Sequence, residues 1–263
     1  MPMELAFEAL GSGPPVVILH GLFGAGRNWT HVAQSLAAEY RVYLPDARNH
    51  GASPWAESMS YAEMAHDVLA LIEQEALQRP FVVGHSMGGK TAMTLALSHP
   101  NAVAGVAVID IAPESYTGQF SSYVSAMRNL DVAGAASREI RRALAESLGA
   151  HAPVDFLMQN LRRERDRFDW RLNLLATGLC MRDLCDFPAA LRDARYEGPA
   201  LFIAGAESDY LQPASLPGIR ALFPGAELAR IADAGHWVHA DQPEALLCGL
   251  NDWLREACAL AQN

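Results

Sequence analysis

Eight consecutive residues, Gly84–Thr91 (Gly-His-Ser-Met-Gly-Gly-Lys-Thr), fit two loop patterns that demand the same local architecture. Gly84-His85-Ser86-Met87-Gly88 is G-x-S-x-G, which seats a serine on a sharp turn between a strand and a helix. Gly84 through Gly89-Lys90-Thr91 is also G-x-x-x-x-G-K-[ST], a loop whose backbone amides wrap phosphates. In either case a buried strand must run straight into a helix, and Arg79-Pro80-Phe81-Val82-Val83 supplies the strand. Such a chain folds as an α/β protein. Rarity alone favours the phosphate loop, which arises by chance roughly 0.01 times in a chain of this length, against roughly 0.1 times for the serine pattern.

The neighbouring sequence repeats the strand-then-helix rhythm. Pro15–His20 and Arg41–Asp46 read as buried strands. Ser60-Tyr61-Ala62-Glu63 is a capping box. After it, Met64, Val68, Leu71 and Ile72 fall on one helical face. Val103–Asp110 is a further strand. The rhythm then stops until Ala200–Ala204, although a crossover needs only about 10–12 residues. The intervening pattern predicts helices: one capped by Asp131 and running to about Leu148, one over Pro153–Arg165, and one over Asp169–Leu179. This predicts a core made of residues 1–111 and 199–263, with a helical cap, 112–198, inserted after the strand ending at Asp110. The interleaved arginines and acids of that insertion read as solvated helix faces. A last helix, Pro243 to about Cys258, should bury Leu246, Leu247, Leu250, Trp253 and Leu254.

Composition excludes several classes. The 263 residues are 51% hydrophobic and 19% charged, which suits a compact globule. A net charge of −10 repels a phosphate backbone, so nucleic acid is not an expected partner. No apolar run reaches the ~18 residues of a membrane span. Met1-Pro2-Met3-Glu4 has no secretion-signal character, so a cytoplasmic monomer acting on a small molecule is expected. The four cysteines form no C-x-x-C pair, and the nine histidines form no H-E-x-x-H. No metal or cofactor is expected.

Distal residues separate the two loop patterns. The serine turn needs small residues two before and two after the serine, and Gly84 and Gly88 comply. It needs a second amide donor from a loop after an earlier strand. In His20-Gly21-Leu22-Phe23-Gly24 the N–H of Leu22 can join that of Met87 in holding an oxyanion. It also needs a late histidine after the last strand, and Asp233-Ala234-Gly235-His236-Trp237 provides His236. The acid must fall between serine and histidine, where Asp110 and Asp209 both stand. The phosphate reading finds support only in Ala107-Val108-Ile109-Asp110, an apolar strand ending in Asp, and explains none of the rest. Ser86 is therefore the expected nucleophile, and Lys90 and Thr91 are ordinary helix positions. His20, His85 and His239 are packing groups, while Phe23, Phe120, Tyr123, Met127 and Phe156 are candidates for an apolar acyl pocket.

The same segments resemble the YbfF-type esterases of the α/β-hydrolase superfamily over nearly the whole chain. The likeness rests on His20–Gly24 with Asn28-Trp29, on Asp46 with Arg48-Asn49-His50-Gly51 and Ser53, and on Gly84–Lys90. It continues in Asp110-Ile111-Ala112-Pro113, Phe168 with Trp170-Arg171, and Ala234–Ala240. The resemblance implies an α/β-hydrolase fold: a mostly parallel sheet flanked by helices, with a helical cap over the site. It implies a metal-free esterase or thioesterase that cleaves small acyl esters, acyl-CoA included, through an acyl-enzyme on Ser86, His236 and Asp110. Asp209 is the alternative acid, and Asp46 braces the Arg48–Ser53 turn. The alternatives within this fold are a ligand receptor with very slow turnover and a carbon–carbon bond hydrolase or perhydrolase.

Overall fold

Along the apolar runs, consecutive side chains serve opposite faces of one sheet, so each strand needs a covering layer on both sides. The structure, a computed structural model, describes residues 1–118, 120–149 and 152–261. In chain order the first half contains β1 (Phe7–Leu10), β2 (Pro15–Leu19), α1 (Thr30–Leu36), β3 (Arg41–Pro45), α2 (Tyr61–Gln74), β4 (Phe81–His85), α3 (Met87–Ser98) and β5 (Gly105–Ile109). The insertion holds α4 (Phe120–Asn129), α5 (Ser137–Leu148), α6 (Val154–Met158), β6 (Leu161–Glu164), β7 (Arg167–Trp170), α7 (Leu174–Leu179) and α8 (Met181–Cys185). The chain finishes with β8 (Ala200–Gly205), α9 (Leu216–Leu222), β9 (Glu227–Ile231), α10 (Val238–Asp241) and α11 (Pro243–Ala261).

Seven strands form the main sheet in the order β1-β3-β2-β4-β5-β8-β9. β1 is antiparallel to β3, and every other pair is parallel. This is the expected mostly parallel sheet. On one face Val17, Val82, Val106 and Phe202 pack with Val68 and Leu71 of α2 and Leu95 of α3. On the other, Ile18, Val83, Ala107 and Ile203 pack with Trp29, Leu36 and the Leu246, Leu250 and Trp253 stripe of α11. Both faces are dry, which is why these strands read as continuous rather than alternating apolar runs. The capping box of α2 forms as expected: Glu63 Oε2 accepts from the Ser60 amide at 2.9 Å, and Ser60 Oγ accepts from the Glu63 amide at 3.3 Å. No helix of the described residues is long and apolar enough to cross a membrane. All four cysteines are free thiols.

The insertion departs from expectation. α4 and α8 were not anticipated. α5 starts at Ser137 rather than at Asp131, whose carboxylate instead closes a turn onto the Ala133 amide at 3.1 Å. The helix expected over Pro153–Arg165 stops at Met158, and a hairpin of β6 and β7 follows. A helix through Arg165 would have carried only charge beyond Leu161. As a hairpin, Leu161 pairs with Trp170, and the Arg162 guanidinium reaches Glu164 at 3.0 Å and Asp169 at 3.6 Å. Arg165 makes the turn at φ 53°. The helix expected over Asp169–Leu179 shrinks to α7, capped by Asn173 Oδ1 on the Ala176 amide. The insertion has an apolar cluster of its own around Met127, Ile140, Leu144, Leu157 and Leu172, and Phe23 joins it from the core.

Candidate active site

Between β4 and α3 the backbone turns at Ser86 with φ 52° and ψ −116°, a conformation that costs an L-residue about 1–3 kcal/mol. Packing makes the turn glycine-dependent. A Cβ on Gly84 would stand 2.2 Å from the Gly88 carbonyl oxygen, and one on Gly88 would stand 2.3 Å from that of Leu19. Neither position accepts a side chain.

Loops from three other strand ends converge on Ser86. His236, on the loop after β9, places Nε2 3.1 Å from Ser86 Oγ and Nδ1 2.8 Å from Asp110 Oδ2. A carboxylate only accepts, so Nδ1 carries the proton and Nε2 meets the serine with its lone pair. Asp110 follows β5, is fully buried and has φ 52°. Its Oδ1 accepts from the Gly205 amide at 3.0 Å, and its Oδ2 accepts from the Ser208 hydroxyl. Asp209, the alternative acid, is exposed and makes no hydrogen bond to His236 among the described residues. The Gly205–Asp209 turn presents its serine to the site and its aspartate to solvent.

Behind His236 the packing is aromatic. Its ring stacks on Tyr210 at 4.0 Å, and His85 Nε2 donates to the His236 carbonyl at 2.8 Å. Burial, followed by the neighbouring His236 and His239 rings, pushes His85 well below the usual histidine range. His239 stacks on Trp29 at 4.3 Å, and burial pushes it down to about 4.

The loop Gly21–Gly24 is held from several directions. The Phe23 amide donates to His50 Nε2 at 3.3 Å, and the Phe23 carbonyl accepts from Asn160 at 2.8 Å. Asp46 does brace the adjoining turn, accepting from the amides of Gly26 and Ala52 at 2.7 Å each. The Leu22 and Met87 amides, the two candidate oxyanion donors, have no hydrogen-bond partner among the described residues.

A cleft of about 420 Å³ opens over Ser86 and His236, lined by Phe23, Phe120, Tyr123, Phe156 and Trp237. Met127 is absent from it. One turn beyond Tyr123 on α4, Met127 is fully buried in the insertion's own core with Ile140 and Leu144, so it cannot touch a ligand there. Lys90 is not an ordinary helix position either. Its buried ammonium donates to the carbonyls of Glu114 and Asp186 at 2.8 Å and of Cys185 at 3.2 Å, and it lies 4.8 Å from the centre of the Tyr116 ring. Burial lowers its pKa to about 8. All three ammonium hydrogens are engaged and Thr91 donates to the Met87 carbonyl, so neither serves as a phosphate ligand in this arrangement. The sequence reading missed Ser208, Tyr210 and the binding role of Lys90; the visible signal was a lysine amid small and apolar helix residues.

No group of three or more metal-ligating side chains occurs among the described residues. A family model described as the alpha/beta hydrolase fold matches residues 14–243. An sn-1-specific diacylglycerol lipase, ABHD11, of Xenopus tropicalis is 38% identical over 260 residues, covering 95% of this chain and 81% of the relative. Esterase YbfF of Escherichia coli is 30% identical over 242 residues, covering 92% and 93%. The solved structure of a marine microorganism esterase superposes with a TM-score of 0.92 at 35% identity, covering 95% of this chain and 99% of that one.

Proposed function

We propose, from the premise that this chain belongs to the α/β-hydrolase family and is a serine ester hydrolase, that Ser86, His236 and Asp110 form its catalytic triad. The observation that supports this is the unbroken hydrogen-bond chain from Ser86 Oγ through both nitrogens of His236 to a buried carboxylate. Ser86 Oγ attacks the ester carbonyl carbon while His236 Nε2 takes its proton. Asp110 holds the ring tautomer and stabilises the imidazolium. The Leu22 and Met87 amides take the developing oxyanion, where losing one such donor typically costs about 100–1,000-fold in turnover. His236 then protonates the leaving oxygen, and the same base activates the water that releases the acid.

The substrates in this reading are esters and thioesters of small acyl groups, with residues 112–198 acting as the cap over a core of 1–111 and 199–263. Labelling with a fluorophosphonate, followed by turnover of aryl esters and acyl-CoA thioesters, tests it. Covalent modification at Ser86 with rapid ester turnover is the expected result. Folded protein that neither labels nor turns over would sink it.

A further inference from the structure

Ser86 borders two spaces, and only one of them contains His236. The large cleft has His236 in its wall. Beside it lies a much smaller chamber of about 30 Å³, bounded by Tyr61, Lys90, Ile111, Met181, Leu184 and Cys185. Leu22, Ser86, Phe120 and Tyr210 stand at the boundary of both spaces, while Met87 lines the chamber. The proton path distinguishes the two. In the tetrahedral intermediate the new C–O bond runs to Ser86 Oγ, and the oxyanion turns toward the Leu22 and Met87 amides. The bond that breaks carries the leaving oxygen, which takes the proton from His236 Nε2 and must lie on the histidine side. The remaining substituent of that carbon, the acyl chain, is left facing the chamber.

We infer that the small chamber is the acyl site, that it accepts short uncharged acyl groups, and that the large cleft receives the leaving group; this rests on the triad reading above. Size sets the length. A single water needs about 10–15 Å³ on this measure, so the chamber holds about two or three heavy atoms beyond the carbonyl. An acyl carboxylate would find no free donor on Lys90, whose three ammonium hydrogens are taken by carbonyls, and the desolvation of its charge would go uncompensated by a hydrogen bond there.

The wall that sets the size is pinned. The Tyr61 hydroxyl donates to the Leu184 carbonyl at 2.6 Å, the Tyr116 amide donates to that of Cys185 at 2.8 Å, and Lys90 grips Cys185 and Asp186. Admitting a longer chain means breaking these buried bonds.

The test measures kcat/KM of the full-length protein on p-nitrophenyl acetate, butyrate, octanoate and monosuccinate. Leu184→Ala, Met181→Ala and Tyr123→Ala are run alongside. Acetate or butyrate should be fastest, with octanoate and monosuccinate each down by about 100-fold, in the range an ill-fitting pocket imposes. Leu184→Ala should move the optimum toward octanoate, and Met181→Ala carries the same expectation should Leu184→Ala fail to fold. Tyr123→Ala should alter KM for bulky leaving groups and leave the acyl order as it was. A wild-type preference for octanoate, or an acyl order that follows Tyr123→Ala and ignores the chamber variants, overturns the assignment. Turnover that survives Ser86→Ala would instead break the triad reading, so the two failures are distinguishable.

Discussion

The two walls of the site come from one insertion, yet they are held by different forces. The wall at α8 is tied to α2 and α3 by buried polar bonds from Tyr61 and Lys90 to backbone carbonyls. The wall at α4 and α6 faces the site through ring contacts, Phe23 with Phe120 at 6.5 Å, Phe23 with Tyr123 at 6.2 Å, and Phe156 with Trp237 at 5.6 Å, with polar ties just past the end of α6, where Asn160 donates to the Phe23 carbonyl at 2.8 Å. Directional bonds in a dry interior set a distance, because leaving one unmade is costly. Aromatic contacts tolerate sliding and tilting at small cost. A chamber that must discriminate by size belongs against the first kind of wall, and a cleft that admits varied leaving groups against the second.

Both walls depend on the hydrogen-bond axis between them, and the largest effect is expected there. Asp110→Asn should lower turnover about 10⁴-fold, the loss that the same change brings in serine proteases, whereas Asp209→Asn should stay near wild type. Steady-state kinetics on one aryl ester checks both, and equal losses would break the assignment of the acid. Next in size is Lys90→Met, which leaves the Glu114 and Asp186 carbonyls without this donor, while Cys185 keeps the Tyr116 amide. A stability loss of about 3 kcal/mol is expected from the urea midpoint, together with a broader acyl-length profile. Loss of stability with an unchanged profile would show that the pinned wall does not set the chamber.

Phe156→Ala probes the other wall. It should cost about 1 kcal/mol and raise KM for bulky leaving groups, with little change in acyl order. The last effect expected is one of pH. His239, pushed down to about 4 by burial, binds a proton in the unfolded chain near pH 6.5 but not in the folded one. Between those values the unfolded state binds more protons, so stability is full above about pH 6.5 and falls as pH drops toward 4. His50, pushed down to about 3, adds to the same slope. His239→Gln should flatten the fall in urea midpoint between pH 7 and 5, and an unaltered slope would contradict it.

Legibility in the sequence followed how each element is stabilised. The core strands were readable because two dry faces demand uninterrupted apolar runs, and α11 because one face demands a stripe. The insertion was misread where charge density was taken for helix surface. Arg162, Glu164 and Asp169 are as solvated on a hairpin as on a helix, and only the pairing of Leu161 with Trp170 distinguishes the two. The partners of Lys90 left no trace because they are backbone carbonyls, which every residue carries.

By itself the sequence determined the turn at Ser86. Gly84 and Gly88 fall within five residues, and the 2.2 Å clash of a Gly84 Cβ with the Gly88 carbonyl is local, whereas the 2.3 Å clash at Gly88 comes from Leu19 on the neighbouring β2. It also determined the order of the late elements, and with it the expected position of His236. Only the tertiary structure shows which of Asp110 and Asp209 stands against His236: Asp110, at 2.8 Å. Both stand at the ends of the adjacent strands β5 and β8, and their order in the chain is equally suitable. The parallel register of those strands brings the Gly205 amide onto Asp110, and the following turn directs Ser208 inward and Asp209 outward. A shift of one residue along a turn reverses which side chain is buried, and that phase is set by packing between strands far apart in sequence.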